Sequence, residues 1–395
     1  MQDSHKRRLI ELLFLAALAA TIVVWHHRAE TPNARWDFQE FYMAAQIVRH
    51  GEAHRLYDFA TQAAFQARYV APTHFERAPD LPFLYPAAAV IPFLPLTALP
   101  LTPAYALWTM LNLLFLYGTI RLLQREAILP ENNWPLFAAV ASAPVIGCLL
   151  NGQVSLLILF ICTVALTLFR RNQLFLAGLV VGLASLKFQL ILGLGLVLLL
   201  RRAWKMVFGT GVGTAIMVVL SFLIAGWHQM LNYPVFLRSA AYHPRFGPPA
   251  TMVNLRGLLW WVEHHEPQVW LVIGLSVLIL GLAALAWNDD TVGICVALTA
   301  SVFVGYHVYI NDLSLLFLPY AVAVAGVGWT ENRTAVTLIS IPVVTFGFVA
   351  FGLYQLEGAV AAGLCLGLLI SRPSAVMATQ SVAGSERAHI AAGSN

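Results

Sequence analysis

Long apolar segments recur along this chain, and they constrain its fold more than any other feature. Residues 9–25, 104–122 and 206–226 carry at most one charged residue each, and roughly 20 helical residues are enough to cross the hydrocarbon core of a membrane. Only 11% of the 395 residues are charged, against about a quarter in soluble proteins, and the mean hydropathy is +0.74. The sequence therefore predicts an all-α polytopic membrane protein.

Twelve membrane-spanning helices are predicted. Lys6, Arg7 and Arg8 precede the first span, and no small-residue cleavage motif follows it, so we expect this helix to be retained with its N-terminus in the cytoplasm. Twelve spans place both termini inside. We expect residues 1–372 to form a single domain and residues 373–395 to form a disordered cytoplasmic tail. The spans are 9–25, 104–122, 134–150, 153–169, 174–187, 189–200, 206–226, 268–287, 291–309, 313–328, 334–352 and 354–371.

A proline-rich apolar segment at residues 82–100 decides how the later loops are oriented. If it were a span, every later basic cluster would face outside. If it is a re-entrant or interfacial element, those clusters are cytoplasmic, as the positive-inside rule favours. We therefore predict the second arrangement, in which protein covers this backbone or the backbone lines a wet cleft. The clusters are Arg121/Arg125, Arg170/Arg171, Arg201/Arg202/Lys205, Arg333 and Arg372.

Two longer loops, at residues 26–81 and 227–266, are exoplasmic in this topology. In the first loop, apolar residues recur at helical spacing at Phe38, Phe41, Ala45 and Val48, and Gly51 follows them. This pattern predicts an amphipathic helix along the membrane surface. A second helix is predicted from Asp58, as its N-cap, to about Tyr69.

Composition excludes some classes of function. The net charge of +4 comes from scattered basic residues at loop ends, so we expect no nucleic-acid partner. The cysteines contain no CxxC pair and fall in predicted spans, where they are expected to be small buried apolar residues. They are Cys148, Cys162, Cys295 and Cys365.

Several short motifs follow one another in a characteristic order between about residues 36 and 320. They are Asp37-Phe38 with Tyr42-Met43-Ala44-Ala45, Gly51 with Leu56-Tyr57-Asp58, Phe83-Leu84-Tyr85-Pro86, Pro95-Leu96, Ala106-Leu107-Trp108, Leu111-Asn112, Asn151-Gly152-Gln153-Val154, Ala177-Gly178 leading to Lys187, Asn254-Leu255-Arg256-Gly257-Leu258, and His307 with Asp312-Leu313. Because these motifs occur in this order, the chain resembles glycosyltransferase family 87 of the GT-C class. That family includes mycobacterial mannosyltransferases that use polyprenyl-phosphate sugars. The chain departs from the family pattern at Ala87, Phe188 and Asn311, which affects the expected sugar and acceptor.

The resemblance implies a GT-C-like helical bundle in the plasma membrane with its active site on the exoplasmic face. The implied activity is inverting transfer of a hexose, with mannose expected, from a polyprenyl-phosphate donor to a hydroxyl of a glycolipid or glycan acceptor. Besides the lipid bilayer, donor and acceptor are the expected partners. No cofactor is expected. The alternatives are a lipid-linked sugar flippase or secondary transporter, and a catalytically inactive family member that acts as a scaffold.

Asp37 matches the catalytic aspartate of the family, and the resemblance makes it the general base that takes the acceptor proton. Its alternative role is to cap a helix that begins at Phe38. Glu40 lies one helical turn later, where it would bind a sugar hydroxyl or tune Asp37, or else belong to an exposed polar face.

Lys187, Arg256 and His307 are the candidates for binding the donor phosphate, whose negative charge develops as it leaves. For each of them there is a plainer alternative. Lys187 would snorkel from the end of a short helix, Arg256 would anchor the loop to lipid headgroups, and His307 would be a satisfied interface residue.

The sugar and the acceptor would contact Glu40, Tyr42, Tyr85, Gln153 and Asp312. Asp312 would otherwise cap the next helix, and it can meet His307 only if the chain turns between the two residues. No Asp-x-Asp motif lies in either exoplasmic loop, so no metal ion is expected.

Overall fold

The computed structural model describes residues 36–72, 79–240, 249–287, 290–325 and 351–370, together with residues 23 and 348. These residues form α-helices and 3₁₀ helices and no strands, which confirms the all-α prediction. All of the predicted first span except residue 23, most of the predicted span 334–352 and the tail 373–395 lie outside the described residues.

Fifteen α-helices follow one another along the described residues. They are α1 Trp36–Arg49, α2 Phe59–Tyr69, α3 Leu101–Arg125, α4 Trp134–Val140, α5 Ala143–Asn151, α6 Ser155–Arg170, α7 Leu174–Leu183, α8 Leu192–Leu200, α9 Trp204–Ala225, α10 Trp227–Ala240, α11 Leu255–Glu263, α12 Val269–Leu285, α13 Asp290–Val304, α14 Phe317–Ala325 and α15 Tyr354–Ile370. Six 3₁₀ helices connect them, at Ala53–Arg55, Ala87–Phe93, Pro95–Ala98, Ala184–Leu190, Pro249–Thr251 and Ile310–Leu316.

Fewer helices are long and apolar enough to span a membrane than the sequence predicts. Among the described residues, 2 helices, α3 and α9, are long and apolar enough to cross a membrane. The number rises to 4 if each of two bent pairs is one span: α4 with α5, bent by 62°, and α7 through Leu190 with α8, bent by 118°. The shorter apolar helices α6, α12, α13 and α15 coincide with other predicted spans. The number twelve therefore stays a prediction.

The first loop folds largely as predicted, but α1 does not lie on a surface. The side chain of Asp58 accepts a hydrogen bond from the backbone N of Thr61 at 3.0 Å, so it is the predicted N-cap of α2. Gly51, with φ +80°, follows the end of α1. The polar residues Gln39, Glu40 and Gln46 of α1 are buried together with its apolar ones. Protein therefore covers residues 38–47 of this helix on all sides, whereas Arg49 at its end is exposed, and the prediction of a surface helix is wrong.

The proline-rich segment is part of what covers α1. It forms two short 3₁₀ helices, Ala87–Phe93 and Pro95–Ala98, and no continuous α-helix. The ring of Phe93 stacks on that of Phe41 with centroids 4.5 Å apart, and the backbone N of Ala88 donates to Ser221 Oγ of α9 at 3.0 Å. Residues 87–90 are buried in the protein, whereas Ile91, Pro95, Ala98 and Pro100 are exposed, and the re-entrant arrangement stays a prediction.

Helices α7 and α9 pack with their backbones in direct contact. Gly178 and Gly182 of α7 face Gly209 and Gly213 of α9, and a Cβ atom at any of the four would collide with backbone of the other helix. Both pairs have the GxxxG spacing that lets apolar helices approach closely in a membrane. This contact fixes α7, which leads directly to Lys187.

Candidate active site

Polar side chains from five separate elements meet at one end of the helical bundle. Asp37 lies in the first turn of α1, Gln153 precedes α6, and Lys187 lies at the break between α7 and α8. Asp312 lies in the 3₁₀ helix Ile310–Leu316, and Tyr85 precedes the first proline-rich turn. We call this set, with Glu40, Ser155 and Tyr309, the polar cluster. Most of these side chains lie near the end of a helix or at a break in one, where the chain turns and can direct polar groups from several elements to the same place.

The centre of the polar cluster is a buried ion pair. Lys187 Nζ lies 2.6 Å from Asp312 Oδ1, with side-chain exposures of 2% and 0%. Lys187 has the non-helical dihedral angles φ −130° and ψ 65°, which turn the chain between α7 and α8. The sequence alternative in which Lys187 snorkels to the surface is therefore wrong. Its ammonium group is held by a carboxylate inside the protein.

Hydrogen bonds satisfy the rest of the Asp312 carboxylate. Ser155 Oγ donates to Oδ1 at 2.5 Å and the side chain of Asn311 donates to Oδ1 at 3.4 Å. The backbone N of Tyr309 donates to Oδ2 at 3.2 Å, so Asp312 also stabilises the start of its own 3₁₀ helix, in line with the capping alternative. A buried ion pair is stable only when such additional bonds offset its loss of hydration.

Gly152 explains how Gln153 reaches the cluster. Gly152 ends α5 in the left-handed region at φ +68°, and a Cβ atom there would lie 2.6 Å from Phe38 Cβ. Only glycine allows this turn and the close approach of α1. Gln153 Oε1 then accepts a hydrogen bond from Lys187 Nζ at 3.3 Å, and the Gln153 side chain lies beside that of Tyr85.

The two carboxylates of α1 lie in different surroundings. Glu40 is 5% exposed, and burial and the nearby charge of Asp37 raise its pKa well above 4.5, with Lys187 opposing the shift. The predicted exposed face for Glu40 is therefore wrong. Asp37 is partly exposed. Because α1 already begins at Trp36, Asp37 lies inside the first turn and is not the cap of a helix beginning at Phe38.

Arg256 and His307 lie at the edge of the polar cluster. His307 interacts electrostatically with Lys187, Asp312 and Arg256, and its ring contacts that of Tyr309 with centroids 4.8 Å apart. The chain turns after α13 ends at Val304, which brings His307 and Asp312 to one place as the topology required. Arg256 lies in the first turn of α11, which is capped by Asn254.

Tyr42 is the predicted site residue that the structure does not bring to the cluster. It is 3% exposed, and its hydroxyl donates to the backbone O of Leu99 at 2.8 Å. Its position on α1 turns it toward the end of the proline-rich segment. Tyr42 is therefore not part of the polar cluster, and its contact with sugar or acceptor stays a prediction.

Sequence reasoning missed Ser155, Tyr309 and Glu266. Ser155 and Tyr309 lie two residues from Gln153 and His307, so a search around each predicted residue would have found them. Glu266 binds Arg256 and follows it by ten residues, with no spacing motif to indicate the contact. No group of three or more His, Cys, Asp or Glu residues suited to a metal ion occurs within the described ranges.

Comparison with known proteins places the chain among enzymes. A family model described as Glycosyltransferase family 87 matches residues 83–319. Over 229 residues the chain is 29% identical to the polyprenol-phosphate-mannose-dependent alpha-(1-2)-phosphatidylinositol pentamannoside mannosyltransferase of Mycolicibacterium smegmatis (strain ATCC 700084 / mc(2)155). That alignment covers 54% of this chain and 53% of the relative, so the chain matches about half the length of that protein. No solved structure matches the chain.

Proposed function

Because the chain belongs to glycosyltransferase family 87, we propose that it is an inverting transferase that uses a polyprenyl-phosphate sugar. It moves a hexose, expected to be mannose, from the donor to a hydroxyl of a glycolipid or glycan. The mycobacterial relative is named for a polyprenol-phosphate-mannose donor and a phosphatidylinositol pentamannoside, which supports both the donor class and a glycolipid acceptor.

The observation that carries the proposal is the different state of three neighbouring carboxyl groups. Asp312 is neutralised by Lys187. Glu40 is buried with a raised pKa, which favours its neutral form. Asp37 is the partly exposed one of the three. A base must meet the acceptor hydroxyl directly, so Asp37 is the group that suits this role.

In the proposed reaction, Asp37 takes the proton of the acceptor hydroxyl as its oxygen attacks the anomeric carbon of the sugar. The bond between that carbon and the phosphate oxygen breaks on the opposite face, which inverts the configuration. The electron pair leaves with the polyprenyl phosphate. Arg256 and His307 are placed to stabilise this negative charge. Because the ammonium group of Lys187 is already bound to Asp312, we assign Lys187 the role of positioning Asp312 and Gln153.

The direction of the helices supports an exoplasmic site. Helix α6 runs from Ser155, in the polar cluster, to Arg170, about 24 Å away at 1.5 Å per residue. Arg170 and Arg171 there form ion pairs with Glu126, at the far end of α3. The polar cluster and this basic end are therefore opposite ends of the bundle. If the basic end is cytoplasmic, the polar cluster is exoplasmic.

A transporter would need a different arrangement. Substrate sites of secondary transporters lie near the middle of the membrane, between repeated halves. Here the polar cluster is built from helix ends and turns at one end of the bundle. Lys187, the residue that most suggested a transport site, is held in an ion pair. This placement favours transfer over transport.

The decisive experiment offers purified protein a panel of labelled polyprenyl-phosphate hexoses together with a membrane-lipid extract. We expect a labelled lipid product from one donor, mannose being the first candidate, with the anomeric configuration inverted. A reconstituted protein that moves labelled donor across vesicles without forming product would contradict the proposal and support the flippase.

A further inference from the structure

Arg256 is a fixed cation whose present partner is an exposed carboxylate. Its side chain is 9% exposed, whereas that of Glu266 is 54% exposed. The guanidinium lies over the ring of Tyr306, 4.4 Å from its centroid, and Nη1 is 3.9 Å from Met252 Sδ. Packing therefore holds the arginine in place, while its partner lies at the surface.

The geometry of this contact resembles the way a guanidinium holds an oxyanion. Glu266 Oε1 accepts a hydrogen bond from Arg256 Nε at 2.7 Å and lies 2.6 Å from Nη2. One oxygen thus occupies the Nε–Nη2 edge, which also suits a phosphate oxygen. A carboxylate and a phosphate cannot both hold this edge.

The segment that carries Glu266 is short and attached at both ends. It connects His264, which ends α11 in the left-handed region at φ 58°, to the start of α12 at Val269. Glu266 lies at the surface in the middle of this segment, where its side chain can turn into water without unfolding either helix.

We propose that Glu266 is a built-in competitor for the Arg256 anion site. In the absence of substrate it occupies the guanidinium, and the phosphate of the polyprenyl-phosphate substrate must displace it. Glu266 therefore sets the affinity of the site for the lipid phosphate. This inference rests on the proposed function, because that function supplies the phosphate.

The test measures binding of a short-chain polyprenyl phosphate that carries no sugar, so it does not depend on turnover. Glu266→Gln keeps the shape of the side chain but removes the competing charge. We expect it to bind the lipid phosphate about two- to fivefold more tightly than the wild type, the range expected for an exposed ion pair.

Glu263 supplies a matched control. It is a carboxylate three residues earlier, at the end of α11, and its ion-pair partner among the described residues is His265, at 3.6 Å, and not an arginine. Glu263→Gln removes the same charge from nearly the same place, and we expect no change in affinity. In an Arg256→Gln background, Glu266→Gln should also have no effect, because the two side chains act through one contact.

Equal effects of Glu266→Gln and Glu263→Gln would show a general charge effect and overturn the inference. Weaker binding by Glu266→Gln would overturn it as well, as would a wild-type protein that does not bind the lipid phosphate. If the wild type binds the lipid phosphate but forms no glycosylated product, the proposed function fails while the inference about Glu266 stands or falls on the binding data.

Discussion

Lys187 and Asp312 are 125 residues apart in the sequence, yet Nζ and Oδ1 are 2.6 Å apart and almost completely shielded from solvent. This contact joins the break between α7 and α8 to the turn that follows α13. Because Gln153 and Ser155 also bind the pair, the contact fixes the start of α6, the break after α7 and the 3₁₀ helix Ile310–Leu316 relative to one another.

Removing one member of this pair is expected to destabilise the protein. Lys187→Met leaves the Asp312 carboxylate buried without a counter-charge, which typically costs about 3–5 kcal/mol. The double variant Lys187→Met/Asp312→Asn restores neutrality and keeps an oxygen that accepts from Ser155. We expect thermal unfolding in detergent to show a large loss for the single variant and recovery for the double variant.

The same variants separate positioning from phosphate binding. If Lys187 only positions Asp312 and Gln153, measurable sugar transfer returns in the double variant together with its stability. A double variant that is stable but completely inactive would show that the ammonium group of Lys187 or the carboxylate of Asp312 itself acts in the reaction.

Asp37→Asn should abolish transfer without unfolding the protein. A general base typically contributes about 10²- to 10⁴-fold, so we expect a loss of at least about 10²-fold in kcat, with unchanged donor binding. Asp37 is partly exposed, and asparagine keeps its size, so the unfolding temperature should change little. Full activity of this variant would exclude Asp37 as the base.

Asp58 is the matched control on the neighbouring helix. Asp58→Ala removes the N-cap of α2 and is expected to cost about 0.5–2 kcal/mol of stability. Because Asp58 lies in the cap of α2 and not in the polar cluster, the transfer rate per folded molecule should stay at the wild-type value. The Asp37 variant is thus expected to lose activity and keep its stability, whereas the Asp58 variant is expected to lose stability and keep its activity.

Glu40 makes stability depend on pH. Its pKa in the folded protein is raised above 4.5 by burial and by Asp37, so above pH 4.5 the unfolded chain releases a proton that the folded protein still holds. The free energy of unfolding therefore falls as pH rises from 4.5 toward the folded-state pKa. Glutamine has no such proton to release.

We therefore expect the unfolding temperature of Glu40→Gln to rise relative to that of the wild type as the pH increases above 4.5, until the folded-state pKa of Glu40 is passed. Glu52→Gln, at a side chain that is 40% exposed, serves as the control and should not change this pH dependence. If the difference in unfolding temperature between Glu40→Gln and the wild type is the same at every pH, Glu40 is not buried in its uncharged form.

Alanine substitutions at two glycines of α9 are expected to change the stability of the protein in opposite directions. At Gly213 a Cβ atom would collide with the backbone of α7 at Leu179, whereas at Gly211 no atom lies within 4 Å. Gly211→Ala should raise stability by about 0.5–1 kcal/mol through helix propensity. Gly213→Ala should lower it, because the helices must separate. Equal stabilisation by both variants would show that α7 and α9 do not pack through GxxxG.

Local rules in the sequence predicted local structure well. The apolar composition indicated helices, Asp58 indicated the start of α2, and Gly51 indicated the end of α1, because each depends on neighbours in the chain. The resemblance to family 87 was likewise carried by residues in linear order. These features need no knowledge of which helix lies next to which.

Contacts between distant segments were decided by the tertiary structure. Periodicity identified an amphipathic α1 but could not show that the proline-rich segment would cover its polar side and bury Glu40. Lys187 was recognisable as a cation in an apolar run, but only packing could pair it with Asp312. The sequence by itself determined a helical, apolar chain and most of the polar residues that meet at its end. The tertiary structure decided which of their charges are neutralised and which carboxylate stays accessible, because burial and ion pairing are set by residues that are distant in the sequence.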